Sequence, residues 1–195
     1  MKNIYRTVGV LIIVFLVSSC NSVRGDGGFL SEKPCSPPCF YGITPGVTTK
    51  SEAEEILKQN SFSCTFFDYT PGGKQGYMCS WGDVGLDDKG NIVTGVTFRT
   101  SSKITLQKVI DKYGEPDVVG TGIVSLPDDK VRVGMILGFK TIRTWIWLEE
   151  QHAPKYTVRE DSVVHDITYS ADFDPQPGNV PWKGYGEYDW TFTLP

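Results

Sequence analysis

Apolar positions along this chain change their spacing several times, and each change predicts an element. The first run, Val8 to Val17, is continuously apolar, and residues 20–34 after it are polar, glycine-bearing and unpatterned. Such a composition predicts a flexible tether, spanning roughly 20 Å as a random chain. From Ala53 the spacing becomes helical, with Ala53, Ile56 and Leu57 forming one stripe. Thr49 and Glu52 just before it have the spacing of a capping box, in which each side chain satisfies a backbone N–H of the other's residue. Asn60 is the predicted end. Strand-like runs follow at 62–69, 76–83 and 91–99, the last two separated by the turn composition Asp87-Asp88-Lys89-Gly90-Asn91.

The pattern then begins again. Thr105 is a candidate cap, and Leu106, Val109, Ile110 and Tyr113 repeat the helical stripe. Gly114 and Pro116 predict its end. Strand-like runs follow at 118–124, 131–139, 142–149 and 163–170, with turns at Pro127-Asp128-Asp129 and across Gln151 to Pro154. The two helical stripes superimpose with one constant offset. The expected fold is therefore α+β, made of two helix-then-antiparallel-meander units, 35–101 and 102–195, with both helices on one face of an antiparallel sheet.

Charge and cysteines place this domain. Lys2 and Arg6 precede the apolar run, and Ser18-Ser19-Cys20 closes it. That order resembles the signal peptide and lipobox of bacterial lipoproteins. It implies that residues 1–19 are removed and that Cys20 carries acyl chains such as palmitate, anchoring the protein outside the cytoplasm. The run is about ten residues long, against the roughly 20 a spanning helix needs. A plain secretion signal, leaving Cys20 as a thiol, is the competing expectation. Of 19 Lys and Arg and 23 Asp and Glu, only Lys2 and Arg6 leave with this segment, so the net charge moves from −4 to −6. No basic run remains, which argues against nucleic acid as a partner and against attraction to anionic lipid. The bilayer is to be reached through the lipid on Cys20.

Cys35, Cys39, Cys64 and Cys79 remain, an even number for an oxidising compartment. A hairpin folded about Pro71-Gly72 sets position 64 opposite 79, which favours a local 64–79 bridge and leaves Cys35 with Cys39. An extended Pro37-Pro38 would hold Cys35 and Cys39 roughly 12 Å apart, beyond disulfide reach. Their bridge therefore requires a turn. The other possibility is that both reach across to Cys64 and Cys79. Zinc is poorly served by this cysteine spacing, and no metal is expected.

Gly42-Ile43-Thr44-Pro45-Gly46-Val47-Thr48, a capped helix, Cys79-Ser80-Trp81 and a strand ending Val96-Thr97-Phe98 make up a motif set of some length. It resembles the small α+β domain of the lipoprotein subunit of the outer-membrane barrel-assembly machinery, and that of the tandem-repeat β-lactamase-inhibitor proteins. The Cys35–Thr48 stretch is also similar to uncharacterised bacterial lipoproteins. The resemblance implies a non-enzymatic domain that offers a sheet face to protein partners; no binding residue carries over.

Catalytic chemistry is not evident. The sequence lacks nucleophile-elbow, phosphate-loop, zinc-protease and dinucleotide motifs. His152 and His165 are isolated, and Asp87-Asp88 and Asp128-Asp129 read as turn formers. No catalytic residue and no cofactor are expected. Aromatic residues supply the candidate binding surface. Trp145 and Trp147 share one face of the 142–149 run, while Ile142, Ile146 and Leu148 share the other. Trp182, Tyr185, Tyr188 and Trp190 recur in an irregular tail, expected to pack back over the Trp145 face. The expected role is a lipid-anchored envelope protein that binds a protein partner without catalysis. Its rivals are an inhibitor or immunity-type lipoprotein and an envelope-polymer hydrolase using acidic residues. A sugar is a further possible ligand of the indoles.

Overall fold

The computed structural model describes residues 25–69, 74–125, 131–149, 151–152, 155–176 and 178–189. The lipidation candidate Cys20, the turn residues Pro71-Gly72 and Pro127 to Asp129, and Trp190 lie outside them. The protein is mostly antiparallel sheet, with two helices, α1 (Lys50–Gln59) and α2 (Leu106–Tyr113). The strands are β1 (Cys64–Tyr69), β2 (Lys74–Cys79), β3 (Gly82–Leu86), β4 (Val93–Thr105), β5 (Val118–Ser125), β6 (Val131–Phe139), β7 (Thr144–Leu148), β8 (Gln151–His152), β9 (Lys155–Val158), β10 (Val163–Ser170), β11 (Val180–Pro181) and β12 (Gly186–Asp189). The main sheet runs β1-β2-β3-β4-β10-β7-β6-β5-β11, with β8 beside β6; β9 and β12 form a separate pair. Strand β10 joins the two meanders by pairing with β4 on one side and β7 on the other.

Alternation gives this sheet two unlike faces. Tyr77, Val84, Val96, Tyr169 and Thr144 lie opposite one another across five strands and are all buried. Phe98, Ile167, Ile146, Leu137 and Val119 make a parallel buried row. Ala53 and Leu57 of α1 and Leu106 and Val109 of α2 belong to the same core cluster.

Helix α1 forms as its sequence predicts. Thr49 is the N-cap, its hydroxyl accepts from the Glu52 N–H, and the Glu52 carboxylate accepts from the Thr49 N–H at 2.8 Å. That bond holds the Glu52 carboxyl below its usual range, so the cap loses its contribution as pH falls through the Glu52 titration. Thr49→Ala is expected to cost about 1 kcal/mol, read as a lowered midpoint in thermal unfolding. Helix α2 is capped differently. Thr105 occupies the N-cap position but makes no side-chain cap; Leu106 and Gln107 donate instead to the Ser162 and Glu160 carbonyls.

Both local disulfides are present. Cys64 lies opposite Cys79 in the β1–β2 ladder and is bonded to it. Cys35 and Cys39 are bonded with Cα atoms 5.7 Å apart; Cys39 donates to the Ser36 carbonyl, and the Pro37–Pro38 peptide is cis.

Three expectations are corrected. Residues 25–34 are not a tether. Phe29 is fully buried, its ring 4.9 Å from Tyr113 and 6.3 Å from Tyr169. Asp26 accepts from the Gly28 and Leu30 N–H groups, and Tyr113 donates to the Phe29 carbonyl. A single aromatic anchor in a polar segment has no periodicity to reveal it. The 76–83 run is two strands, because the chain reverses at Ser80-Trp81 between paired Cys79 and Gly82. Gly82 has φ +156°, and a Cβ there would stand 1.9 Å from the Thr97 carbonyl oxygen. Only glycine lets β3 approach β4 so closely. Finally, Gln151 and His152 are not a turn but a short strand against Val133 and Arg132.

Candidate binding groove on the open sheet face

The second face of the sheet carries the polar members of the same alternation. Trp145, Thr168, Thr97, Asp83 and Met78 lie opposite one another across β7, β10, β4, β3 and β2. Trp147, Asp166 and Arg99 form the adjoining row. Trp145, Thr168 and Thr97 of the first row and all of the second, with Asp172, Asp174 and Asn179 beyond β10, line a groove of about 950 Å³. A smaller hollow of about 350 Å³ shares Thr97, Arg99 and Asp166 with it and extends to Asp83 and Met78.

The two indoles have different surroundings. Trp145 stacks on Phe173, with centroids 4.8 Å apart and planes 10° from parallel. The stack comes close against β6 because residue 138 is glycine; a Cβ there would come within 2.8 Å of both rings. Trp147 lies opposite Ile136 and Asp166. Among the described residues its indole has no ring partner and no hydrogen bond.

The floor is polar and partly charged. The Thr97 and Thr168 hydroxyls are 3.2 Å apart. Arg99 donates through Nε to Asp166 Oδ1 at 3.3 Å, and His165 Nδ1 lies 2.9 Å from Asp166 Oδ2. Asp83 is half-buried, and its carboxyl has no hydrogen bond or ion pair among the described residues. Burial first, and the charge of Asp166 second, push its carboxyl above the ordinary range. A carboxyl raised in the folded state is protonated alike in both states at low pH and costs stability as pH rises through the unfolded and then the folded value. Asp83→Asn is therefore expected to raise the unfolding midpoint by roughly 1–4 °C at pH 7, and to leave it unchanged near pH 3. An equal gain at both pH values would contradict this electrostatic account.

Of the six aromatic residues named as a possible binding surface, Trp190 lies outside the described residues and the other five fall in two separate places. Trp145 and Trp147 lie in the groove. Trp182 stacks with Tyr188 at 6.1 Å and meets Tyr185 edge-on at 5.8 Å, in a cluster beside β9 and α2. Tyr185 donates to Gln107 of α2, Tyr188 is buried, and Trp182 packs against the core. The tail thus covers the molecule near α2, and it is Phe173 that covers Trp145. Asp83, Thr97, Arg99, Asp166 and Thr168 escaped the sequence reading; the available signal was polar residues alternating with buried Val84, Val96, Phe98 and Ile167.

Cys35, Cys39, Cys64 and Cys79 offer a metal no thiolate, since all four are in disulfides. Among the described residues, no group of three or more His, Cys, Asp or Glu is arranged to hold one. The groove and the hollow beside it present an accessible indole, hydroxyls, an ion pair and an unanswered carboxylate. Comparison of the chain with protein families, with curated proteins and with solved structures gave no match.

Proposed function

We propose that this chain is a lipid-anchored extracytoplasmic protein that binds a protein partner in the groove, without catalysing a reaction. The observation carrying this reading is the open sheet face itself, where Trp147 stands in a roomy concavity with neither ring nor hydrogen-bond partner. Large amphipathic rings in concave sites are common anchors for partners. We read the fold as two helix-then-meander halves whose helices share the apolar face, which leaves the other face to the ligand. The resemblance to the barrel-assembly lipoprotein subunit and to the tandem-repeat inhibitor proteins supports a protein as that ligand. Anchoring rests on Lys2, Arg6, the Val8–Val17 run and Ser18-Ser19-Cys20.

Purification of the full chain from membranes in mild detergent tests the binding reading. A stoichiometric protein partner is expected with the native chain and with Tyr185→Ala, and at least tenfold less of it with Trp147→Ala. Equal recovery with Trp147→Ala would place the partner elsewhere. Mass spectrometry of the mature N-terminus is expected to show acylated Cys20 as its first residue; an unmodified N-terminus at another position would remove the anchor. One observation favours a hydrolase instead: Asp83 and Asp166 flank Thr97, one carboxyl raised and the other held by Arg99 and His165. Turnover of an envelope glycan by the native chain, abolished by Asp83→Asn, would establish that reading in place of binding.

A further inference from the structure

The carboxylates of the groove and of the hollow beside it are unequally answered. Asp166 has Arg99 and His165 within 3.3 and 2.9 Å. Asp83, two strands away across β4, has no partner among the described residues, yet faces a hollow open to solvent. Asp172 and Asp174 add negative charge to the longer groove; Arg99, which lines both the groove and the hollow, is the permanent cation among their described lining residues. A half-desolvated carboxylate in an acidic hollow is complementary to a cation.

We infer that the partner enters as an extended peptide segment, seating a lysine or arginine side chain against Asp83 and an apolar side chain on Trp147. This deepens the proposed function and rests on it. The span sets the spacing. Asp83 on β3 and Trp147 on β7 are three strand spacings apart and one row apart along the strands, roughly 16 Å on the diagonal. An extended chain advances about 3.3 Å per residue, so the same-side spacing nearest this span is four residues, about 13 Å, with the long lysine or arginine side chain reaching the remainder. The Thr97 and Thr168 hydroxyls lie between them to meet peptide groups. A hexosamine polymer also offers ammonium groups and apolar ring faces. It needs a succession of stacking platforms, however, and Trp145 already has Phe173 on one face.

The test is calorimetric titration of the full chain in detergent with blocked peptides. The probe is acetyl-Thr-Leu-Thr-Ser-Thr-Lys-Thr-amide, with one control replacing Lys by Gln and another bringing Leu and Lys to a two-residue spacing. The lysine probe is expected to bind about tenfold tighter than the Gln control, which corresponds to about 1.4 kcal/mol. Asp83→Asn should erase that preference while its unfolding midpoint shows an intact fold, and Trp147→Ala should weaken both peptides. Equal binding of lysine and Gln peptides, no binding of either, a preference that survives Asp83→Asn, or tighter binding of a glucosamine tetramer would each overturn the inference. If the co-purified partner still depends on Trp147 in any of those cases, the binding function stands and only the ligand class falls.

Discussion

Phe29→Ala is expected to destabilise the protein by about 3–5 kcal/mol, although the residue sits in a stretch that reads as linker. The ring is fully buried between Tyr113 of α2 and Tyr169 of β10. Its removal leaves a cavity that two other aromatic rings, themselves anchored, cannot readily fill. Tyr113 also donates to the Phe29 carbonyl, and Lys112 ion-pairs with Glu32 at 3.4 Å, so the strap is fixed at several points. A domain's total stability is commonly about 5–15 kcal/mol, and this loss is a large part of it. Denaturant unfolding should show a lower midpoint with an unchanged slope. A tether residue would change the midpoint by less than about 0.5 kcal/mol, so the two outcomes are well separated.

The second large effect concerns the sheet edge. Cys64 and Cys79 close a loop of 15 residues across the β1–β2 hairpin, and Cys35 and Cys39 close one of four. Chain entropy assigns about 3 kcal/mol to the first bridge and about 2 kcal/mol to the second. Replacing both cysteines of a pair by serine should therefore lower the unfolding midpoint more for 64–79 than for 35–39. The 64–79 loss should also be regional. Strand β1 is terminal in the sheet, with Phe66 and Tyr69 on it exposed, so beyond its ladder to β2 the bridge is a principal tie at this edge. Hydrogen exchange should speed up in β1 and β2 and stay unchanged in β10 and β7. Uniform acceleration throughout the sheet would show that the hairpin is not a separate unit.

Local signals explain which parts of this fold were legible in the sequence. Thr49 and Glu52 declare a helix start because the capping box is complete within four residues. Cys64 and Cys79 declare their register because a hairpin pairs residues symmetrically about its turn. Trp145 and Trp147 declare a shared face because strand alternation is strict. Long-range choices were not legible. Nothing in Val163–Ser170 says that this strand enters between β4 and β7, although that placement makes one sheet of two meanders. The candidate site depends on the same choice. Asp83, Thr97, Thr168 and Trp145 come from four strands and become one row only when β10 takes its place. The tail aromatics misled for a related reason: Trp182 and Tyr188 alternate with glycine and polar residues wherever they pack, and the sequence does not say that they pack beside α2.

The groove as the partner surface is tested most directly by photo-cross-linking in intact cells, with a photoreactive amino acid placed at position 97 on the groove floor or at position 55 on the exposed side of α1. The account predicts one discrete protein adduct from position 97, lost when Trp147→Ala is combined with it, and none from position 55. An adduct from position 55 with none from position 97 would contradict it.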